Sequence, residues 1–368
     1  MTRIPIHGIG VIAPGAIGVD AFRALLDSGA SAIADIDRFD TTGLHAHKAA
    51  LVRDFKPKDF IAPMKMRRMN ALSRLGVSAA KLAIDDCGAA LEMNTGVAMG
   101  TAFGPVQTSV DYMAEYVAKG AALAPPQLFA ESVANAPGSH IAIEWSLRGF
   151  NITITQRESS ALAAAMFAAT QIAKGTVSAA LIGGVEEANE MLFSVLDRIG
   201  ALAHASDNGD EEARPFDATR NGFVLGEGGA VLIANAGTRK PYGWLAGFGI
   251  GRDTTAPVSD WGTDPNSIVT AMRAALDDAG IDRVDAIYAS ANGSLRGDAV
   301  EQRAIEIAMP NVPVICTKHL FGEYAAGGAL QLIAALLAVD AGRYDAVLVN
   351  SVSAGGGIVC AVVTREGA

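Results

Sequence analysis

Residues Gly149 to Ala165, with the sequence GFNITITQRESSALAAA, decide the fold. Asn151 to Thr155 alternates β-branched and polar residues, which predicts a short strand, and the Ala-rich run from Ser159 to Lys174 predicts a buried helix. Gln156 to Glu158 must then form a sharp turn. The last turn residue lies at a helix N-terminus, where free N–H groups stabilise negative charge. Nucleophilic enzymes place Ser or Cys there, and this chain has Glu158.

The second half of the sequence repeats the first. Segments of the two halves match in the same order, and the longest match keeps one offset through a helix, a glycine turn and a strand without a gap. The matched pairs are Ala83–Gly88 with Ala275–Gly280, Ala161–Val185 with Gly328–Val352, and Gly8 and Gly10 with Gly247 and Gly249. Alternating strand and helix patterns predict parallel pairing with helices covering the sheet, so we expect duplicated βαβ units.

The composition restricts the class of protein. The chain has 368 residues, of which 50% are hydrophobic and 18% are charged, so it is too apolar for disorder. A net charge of −10 argues against nucleic acid and anionic membrane surfaces as partners. The three cysteines, Cys87, Cys316 and Cys360, are too widely spaced to indicate a zinc site or a disulfide framework. We expect a cytoplasmic protein without cofactor or metal.

Several motifs, in order, resemble those of the β-ketoacyl synthases, which extend acyl chains on acyl carrier proteins by decarboxylative Claisen condensation. Their elbow has the pattern G-P-N-x-T-V-x-T-A-C-S-S, and Ala213 to Ile233, ARPFDATRNGFVLGEGGAVLI, is close to a second family segment. The resemblance covers nearly the whole chain. It implies an α/β thiolase-like five-layer αβαβα fold with internal duplication, in which residues 1–240 and 241–368 form two similar halves.

The resemblance also implies where the catalytic groups should lie. The family uses a Cys and two His, and the motif register places Glu158, Asn292 and Glu323 at those positions. The supporting polar network corresponds to Asp298, Glu301 and Lys318, which we expect to be buried and mutually paired. The aromatic gate of the acyl tunnel is replaced by Val352 and Ala354. Glu158 is expected to be ionised and to cap the following helix, because a carboxylate is a poor nucleophile toward a thioester.

Three weaker signals have simpler interpretations. Gly8 and Gly10 have the spacing of a dinucleotide-binding loop, but tight-turn glycines are favoured. His45 and His47 have the spacing of metal ligands, but a solvated loop is favoured. His319 follows Lys318 and is a candidate replacement for the missing base, although the register of the lysine argues against it.

The pattern of losses resembles the chain-length factors, which pair with a Cys-bearing ketosynthase. We therefore predict a non-condensing partner subunit that dimerises through Asn151 to Thr155 and lines an acyl tunnel near Leu128 to Ala134. Acyl carrier protein is an expected partner, and Lys65, Arg67 and Arg68 are its candidate docking residues. One alternative is an acyltransferase, decarboxylase or hydrolase that uses Glu158 as base and Asn292 as oxyanion donor. Another is a homodimeric acyl-binding protein.

Overall fold

The computed structural model describes residues 2–207, 209–324 and 328–366. The strands of the first half are β1 (Ile4–Ala13), β2 (Ala16–Ile17), β3 (Ala34–Asp35), β4 (Lys48–Ala49), β5 (Gly96–Gly100), β6 (Asn151–Ile154), β7 (Ala180–Glu186) and β8 (Gly228–Ala234). Its helices are α1 (Val19–Ser28), α2 (Pro63–Met66), α3 (Ala71–Cys87), α4 (Val106–Lys119), α5 (Pro126–Glu131), α6 (Ala136–Glu144), α7 (Ser160–Ala173) and α8 (Glu190–Arg198).

The second half has fewer elements in the same arrangement. Its strands are β9 (Gly243–Arg252), β10 (Ala286–Tyr288), β11 (Val314–Ile315), β12 (Ala346–Val352) and β13 (Gly357–Thr364). Its helices are α9 (Pro265–Ala279), α10 (Leu295–Ala308), α11 (Lys318–Phe321) and α12 (Gly328–Asp340). Short 3₁₀ turns lie at Pro57–Asp59, Ala121–Leu123 and Arg157–Ser159. In the described part of the chain, no helix is long and apolar enough to cross a membrane.

The order of the strands shows the duplication directly. Across the described residues the main sheet runs β11-β10-β12-β13-β9-β1-β8-β7-β5-β6, with β2 paired to β1. Counted outward from the central pair, the first half has the order β1-β8-β7-β5-β6 and the second half has the equivalent order β9-β13-β12-β10-β11. β1 and β9 pair antiparallel through Ile4–Leu245, Pro5–Trp244 and Ile6–Gly243, so one sheet passes through both halves. The division at residue 240 stays a prediction, and residues 235–242 connect β8 to β9.

Glycines inside the two central strands let a helix lie directly on the backbone. A Cβ on Gly10 would be 1.9 Å from the Ala79 carbonyl oxygen of α3, and one on Gly249 would be 1.9 Å from the Ala271 carbonyl oxygen of α9. Each side chain larger than hydrogen would therefore push its helix away. The expectation of tight-turn glycines at Gly8 and Gly10 is wrong, because both lie within β1 and are required by helix packing.

Two helices that are buried on nearly all sides separate the layers. α7 and α12 share one apolar core with the central strands, and their apolar residues pack against Ile9, Leu232 and Val359. α3 covers the outer face of the first half, and α9 covers the outer face of the second. The five layers are therefore α3, the strands of the first half, α7 with α12, the strands of the second half, and α9. The predicted five-layer thiolase-like α/β fold is confirmed.

The elbow that organises the sequence lies at the edge of the sheet. β6 pairs parallel with β5 and forms the end of the sheet, and a 3₁₀ turn at Arg157–Ser159 leads directly into α7. Arg157 has a left-handed φ of 49°, which few residues other than glycine adopt. The chain therefore passes from the end of β6 at Ile154 to the start of α7 at Ser160 through one short turn. The predicted strand, sharp turn and buried helix are confirmed.

Candidate active site

The elbow turn buries the side chain of Glu158. Its carboxylate Oε2 accepts a hydrogen bond from the backbone N–H of Ala354 at 3.0 Å, and its carbonyl oxygen accepts one from Ser351 Oγ at 2.8 Å. Glu158 is 9% exposed. The N-cap residue of α7 is Ser159, and no side chain caps that helix. The expected capping role of the carboxylate is therefore wrong, because it bonds to the loop after β12.

The environment of Glu158 favours its protonated form. Burial, together with the charge of the nearby Glu323, raises the pKa of Glu158 to about 7. The Ala354 N–H and the Lys318 ammonium act in the opposite direction but do not cancel the effect of burial. The expectation of a fully ionised carboxylate at neutral pH is wrong, because burial outweighs the stabilisation expected at the start of a helix.

Glu323 is held by a lysine and an amide. Lys318 Nζ donates to Glu323 Oε2 and to the Ser290 carbonyl oxygen, the latter at 2.7 Å, and Asn292 Nδ2 donates to Glu323 Oε2 at 3.0 Å. Burial raises the pKa of Glu323, and the Lys318 ammonium opposes that rise. The second oxygen, Oε1, is buried without a hydrogen-bond partner among the residues that the structure describes. The structure thus brings Glu158, Asn292 and Glu323 into one buried polar cluster.

Asp298 and Glu301 support this cluster through backbone groups. Asp298 accepts hydrogen bonds from the N–H groups of Phe216, Asn292 and Gly293 at 2.8 to 3.2 Å. Phe216 belongs to the ARPFD segment, so that segment positions the loop carrying Asn292. Burial raises the pKa of Asp298.

Glu301 fixes the adjoining strand end in a similar way. Its Oε1 accepts from the Ser290 N–H at 2.8 Å and from Asn350 Nδ2 at 3.0 Å, and burial raises its pKa to about 7. Asp298, Glu301 and Lys318 are buried as expected. The expected mutual pairing is wrong, because Lys318 pairs with Glu323 and the two acids bind backbone and amide groups.

The loop between β12 and β13 closes over the elbow. Ser353 Oγ donates to the Gln156 carbonyl oxygen at 3.0 Å and bonds to Ser159 Oγ at 2.7 Å. Val352 and Ala354 are both buried, and the small space beside Asn292 is too narrow for a water molecule. Ser353 is not among the site residues predicted from the sequence. The N-S-V-S run that contains it was the available signal, because alternate residues of a strand end face the same neighbour.

A further buried acid was also missed. Glu186, at the end of β7, accepts hydrogen bonds from Thr101 Oγ1 at 2.9 Å and from the Ala102 N–H at 2.7 Å, and burial raises its pKa to about 8. Burial, together with the charges of Glu323 and Glu186, raises the pKa of the fully buried Tyr324. The Glu at the end of an apolar strand was its sequence signal.

The other candidate residues lie elsewhere. His319 lines a separate cavity with Tyr288 and Tyr344, and burial lowers its pKa. His45 Nδ1 is 3.2 Å from Asp197 Oδ2, and His47 Nδ1 is 2.9 Å from Thr41 Oγ1. No group of three or more His, Cys, Asp or Glu suited to a metal ion occurs within residues 2–207, 209–324 and 328–366.

None of the three thiols replaces the elbow nucleophile. Cys87 is at the end of α3, Cys316 follows β11, and Cys360 is in β13 next to Asn350. Burial raises the pKa of each thiol, so the reactive thiolate is disfavoured at all three positions.

Comparison with known proteins supports this architecture. The family model "Beta-ketoacyl synthase, N-terminal domain" matches residues 1–238, and "Beta-ketoacyl synthase, C-terminal domain" matches residues 242–348. The chain belongs to the β-ketoacyl synthase family. It is 31% identical over 359 residues to a 3-oxoacyl-[acyl-carrier-protein] synthase 2 from Vibrio harveyi, covering 92% of this chain and 86% of the relative. It is 29% identical to a putative polyketide beta-ketoacyl synthase 1 from Streptomyces virginiae, covering 94% and 86%.

Solved structures of this family share the fold closely. The ishigamide ketosynthase/chain length factor superimposes with a TM-score of 0.88 at 26% identity, and both chains are covered completely. A β-ketoacyl synthase from Burkholderia phymatum also has a TM-score of 0.88, at 23% identity with complete coverage of both chains. A type II polyketide ketosynthase solved with its acyl carrier protein has a TM-score of 0.87 at 19% identity, covering 99% and 100%. The last two likenesses concern the fold alone.

Proposed function

We propose that this chain is a non-condensing member of its family that pairs with a Cys-bearing ketosynthase, in the manner of a chain-length factor. The observation that carries the proposal is the buried Glu158 carboxylate, hydrogen-bonded to the Ala354 N–H at 3.0 Å. Glu158 occupies the elbow position where the condensing members carry their thiol. A protonated or hydrogen-bonded carboxyl there cannot form the acyl thioester that condensation requires.

The groups that would assist condensation are also committed to other contacts. Asn292 and Glu323 occupy the positions of the two family histidines, and Asn292 cannot exchange a proton at neutral pH. Asn292 Nδ2 already donates to Glu323 at 3.0 Å, and Glu323 is paired with Lys318. The polar groups of the cluster therefore bond mainly to one another, which fits a structural role better than a reactive one.

The edge of the molecule beside the elbow has the properties of a subunit contact. β6 ends the sheet, and an unpaired strand edge offers backbone groups to a second chain. In the part of the chain that precedes β6, several large apolar side chains are exposed. They lie on α4, on α5 and just after α5, and include Met113, Tyr116, Phe129 and Val133. Exposed apolar groups of this kind mark association surfaces. Phe129 and Val133 belong to the Leu128–Ala134 segment, which we assign to the wall of the acyl tunnel.

Acyl carrier protein is the proposed third component. Lys65, Arg67 and Arg68 are at the end of α2 and just after it, and Lys65 Nζ is 2.8 Å from Glu144 Oε1 on α6. This basic group is on an otherwise acidic chain with a net charge of −10. It provides a local positive surface for an acidic carrier. We place the protein in the cytoplasm, where its proposed partners act.

One observation favours the alternative of an enzyme that uses Glu158. A carboxyl group whose pKa is about 7 is suited to general acid–base work at neutral pH. Two hydrogen bonds argue against this alternative. Asn292 Nδ2 and the Ala354 N–H are the donors that could stabilise an oxyanion, but they already donate to Glu323 and Glu158 respectively. The alternative needs the cluster to rearrange when substrate binds.

An activity assay separates these two functions. The chain alone, and its complex with the Cys-bearing ketosynthase, would be supplied with acyl and malonyl carrier proteins, and product would be measured by mass spectrometry. We expect product only from the complex, undiminished by Glu158→Gln and lost when the thiol of the partner is removed. Turnover by the chain alone that Glu158→Gln abolishes would establish the alternative.

A further inference from the structure

A separate cavity lies where α1 and α12 meet the edge of the sheet at β11. Leu26 of α1, Ala334 of α12, Tyr288 of β10 and Cys316, which follows β11, belong to its wall. Its volume is about 180 Å³, which is close to the ~150 Å³ of a cavity that holds benzene and below the roughly 300 Å³ at which sites for larger ligands begin. The cavity therefore has room for one ring-sized molecule. No residue of the buried polar cluster around Glu158 belongs to the described wall.

The duplication of the chain shows which group is missing here. The offset of the matched segments pairs Ala334 of α12 with Phe167 of α7. In the first half, the Phe167 ring packs edge-to-face on Phe150, with 5.2 Å between the ring centroids. The strand register pairs Tyr288 with Ala98 in the same way, so the ring that the second half carries belongs to the cavity wall. At the position equivalent to Phe167, the second half has a methyl group and an open space.

Three polar side chains of the wall have unused hydrogen-bonding groups. The hydroxyls of Tyr288 and Tyr344 and the ring nitrogens of His319 form no hydrogen bond with any residue that the structure describes. None of these atoms is sealed from solvent, in contrast to Oγ1 of Thr317, so a molecule in the cavity can reach them. Burial, together with the nearby Tyr344, raises the pKa of Tyr288 to about 12, and burial lowers the pKa of His319. At neutral pH all three groups are therefore uncharged, and each can donate or accept a hydrogen bond.

The charged side chains of the wall are already paired. Arg23 Nη2 is 2.9 Å from Asp340 Oδ2, and Arg343 Nη2 is 2.6 Å from Asp27 Oδ1. The two guanidinium groups therefore present no unmatched charge to the cavity. An ionic ligand would lose its hydration without gaining a counter-charge, so the wall favours a neutral ligand.

We propose that this cavity is a ligand site for a compact neutral molecule that has one ring and one hydroxyl group, of the phenol class. The ring lies against the apolar part of the wall, to which Leu26, Leu320 and Leu337 contribute. The hydroxyl forms hydrogen bonds with the hydroxyls of Tyr288 and Tyr344. This site is independent of the acyl tunnel and of the proposed role as a partner subunit.

The compound para-fluorophenol is a suitable probe because it is neutral at neutral pH and is detected by fluorine NMR. Fluorobenzene lacks the hydroxyl, and para-fluorobenzoate is the anionic probe of similar size. Titrations of the whole chain are expected to show one para-fluorophenol site per chain. Fluorobenzene and para-fluorobenzoate should each bind at least about threefold more weakly, because a hydrogen bond between neutral groups changes an equilibrium by about three- to tenfold.

Three variants locate the site. Tyr288→Phe and Tyr344→Phe keep the rings, and each should weaken para-fluorophenol binding by at least about threefold while leaving fluorobenzene within about twofold. Ala334→Phe gives α12 the ring that α7 carries and should abolish binding of both probes, because the new side chain fills the cavity. Tyr116→Phe is the matched control at a tyrosine of α4 that is 42% exposed, and it should change neither affinity.

Several outcomes would overturn the proposal. They are a wild type that does not bind para-fluorophenol, equal binding of either comparison probe, and a preference for the phenol that neither tyrosine variant reduces. Unchanged binding by a folded Ala334→Phe chain would also overturn it, because the probe would then lie elsewhere, as in the acyl tunnel. If Ala334→Phe does not fold, the two tyrosine variants decide the question.

Discussion

The Glu158 carboxylate accepts the backbone N–H of Ala354 at 3.0 Å, and this bond joins the elbow to the loop between β12 and β13. The motif resemblance implies that condensing relatives carry a thiol at the position of Glu158 and part of an aromatic gate at the position of Ala354. Here the two positions bind one another, and Ser353 adds bonds to the Gln156 carbonyl and to Ser159 Oγ. These contacts within the chain hold the elbow against the loop between β12 and β13.

The raised pKa of Glu158 makes the stability of the protein depend on pH. The folded state keeps this proton up to about pH 7, whereas the unfolded state loses it near the ordinary value of 4.5. The free energy of unfolding therefore falls as pH rises through this window and levels off above it. Glu158→Gln should remove that part of the decline, with a gain of up to about 3 kcal/mol at pH 8 and little change at pH 4.5.

Urea unfolding at the two pH values measures this difference. Glu306→Gln, at an exposed position of α10, is the matched control and should leave the pH profile unchanged. An equal effect of Glu158→Gln at both pH values would show that the carboxyl has the same proton affinity in the folded and unfolded states.

The buried pair of Lys318 and Glu323 should respond differently to single and double replacement. Lys318→Met leaves a buried carboxylate without its counter-charge and should cost about 3–5 kcal/mol. Combining it with Glu323→Gln removes the unpaired charge and should restore most of that loss, as measured by urea unfolding of the four variants of the cycle. Lys81→Met, at the exposed partner of Asp85, should cost less than about 1 kcal/mol. A double variant as unstable as Lys318→Met would mean that the loss comes from lysine packing.

The duplicated packing of helix on strand predicts equivalent effects in the two halves. Gly10→Ala and Gly249→Ala each place a Cβ 1.9 Å from a helix carbonyl oxygen, so each should destabilise by about 1–3 kcal/mol or more. In Gly76→Ala the new Cβ meets its nearest neighbour at 3.3 Å, so this helical control should change stability by less than about 1 kcal/mol. Thermal unfolding midpoints give the comparison. A harmless Gly10→Ala would show that α3 can move away from β1 freely.

Restoring the thiol alone should not restore condensation. Glu158→Cys supplies a nucleophile at the elbow, but Asn292 and Glu323 still replace the two groups that promote decarboxylation and stabilise the enolate. We expect no condensation product from this variant in the carrier-protein assay. Turnover comparable to that of a condensing relative would show that the loss of the thiol was the one decisive change.

Much of the fold was predictable because its local signals agree with its packing. The bounds of α1 and α3 follow from local signals, since Asn70 caps α3 with a 2.6 Å bond to the Ser73 N–H and Gly29 and Gly88 end the two helices in left-handed geometry. The matching halves predicted the duplication. The expected parallel pairing holds for β5 with β6 and β7 and for β10 with β11 and β12, but it is wrong for β1, β8, β9 and β13, which pair antiparallel. The sequence did not show that β1 and β9 join both halves in one sheet, because three backbone pairings leave no side-chain pattern.

The site was predictable by position and not by chemistry. Motif register selected Glu158, Asn292 and Glu323, and the structure brings all three into one cluster. The pairing of Lys318 with Glu323 and the bond from Ala354 to Glu158 depend on the tertiary fold, the latter across 196 positions of the chain. The pKa of Glu158 depends on burial that no local pattern reports.

The native mass of the tagged protein, isolated from its own cells at low salt, tests the central claim most directly. We predict a species of about twice the 37.9 kDa chain mass that contains this chain and one Cys-bearing ketosynthase, with Glu158→Gln assembling equally well. A species made of two copies of this chain, with no second ketosynthase bound, would contradict the partner role and direct attention to Glu158 as a group that acts alone.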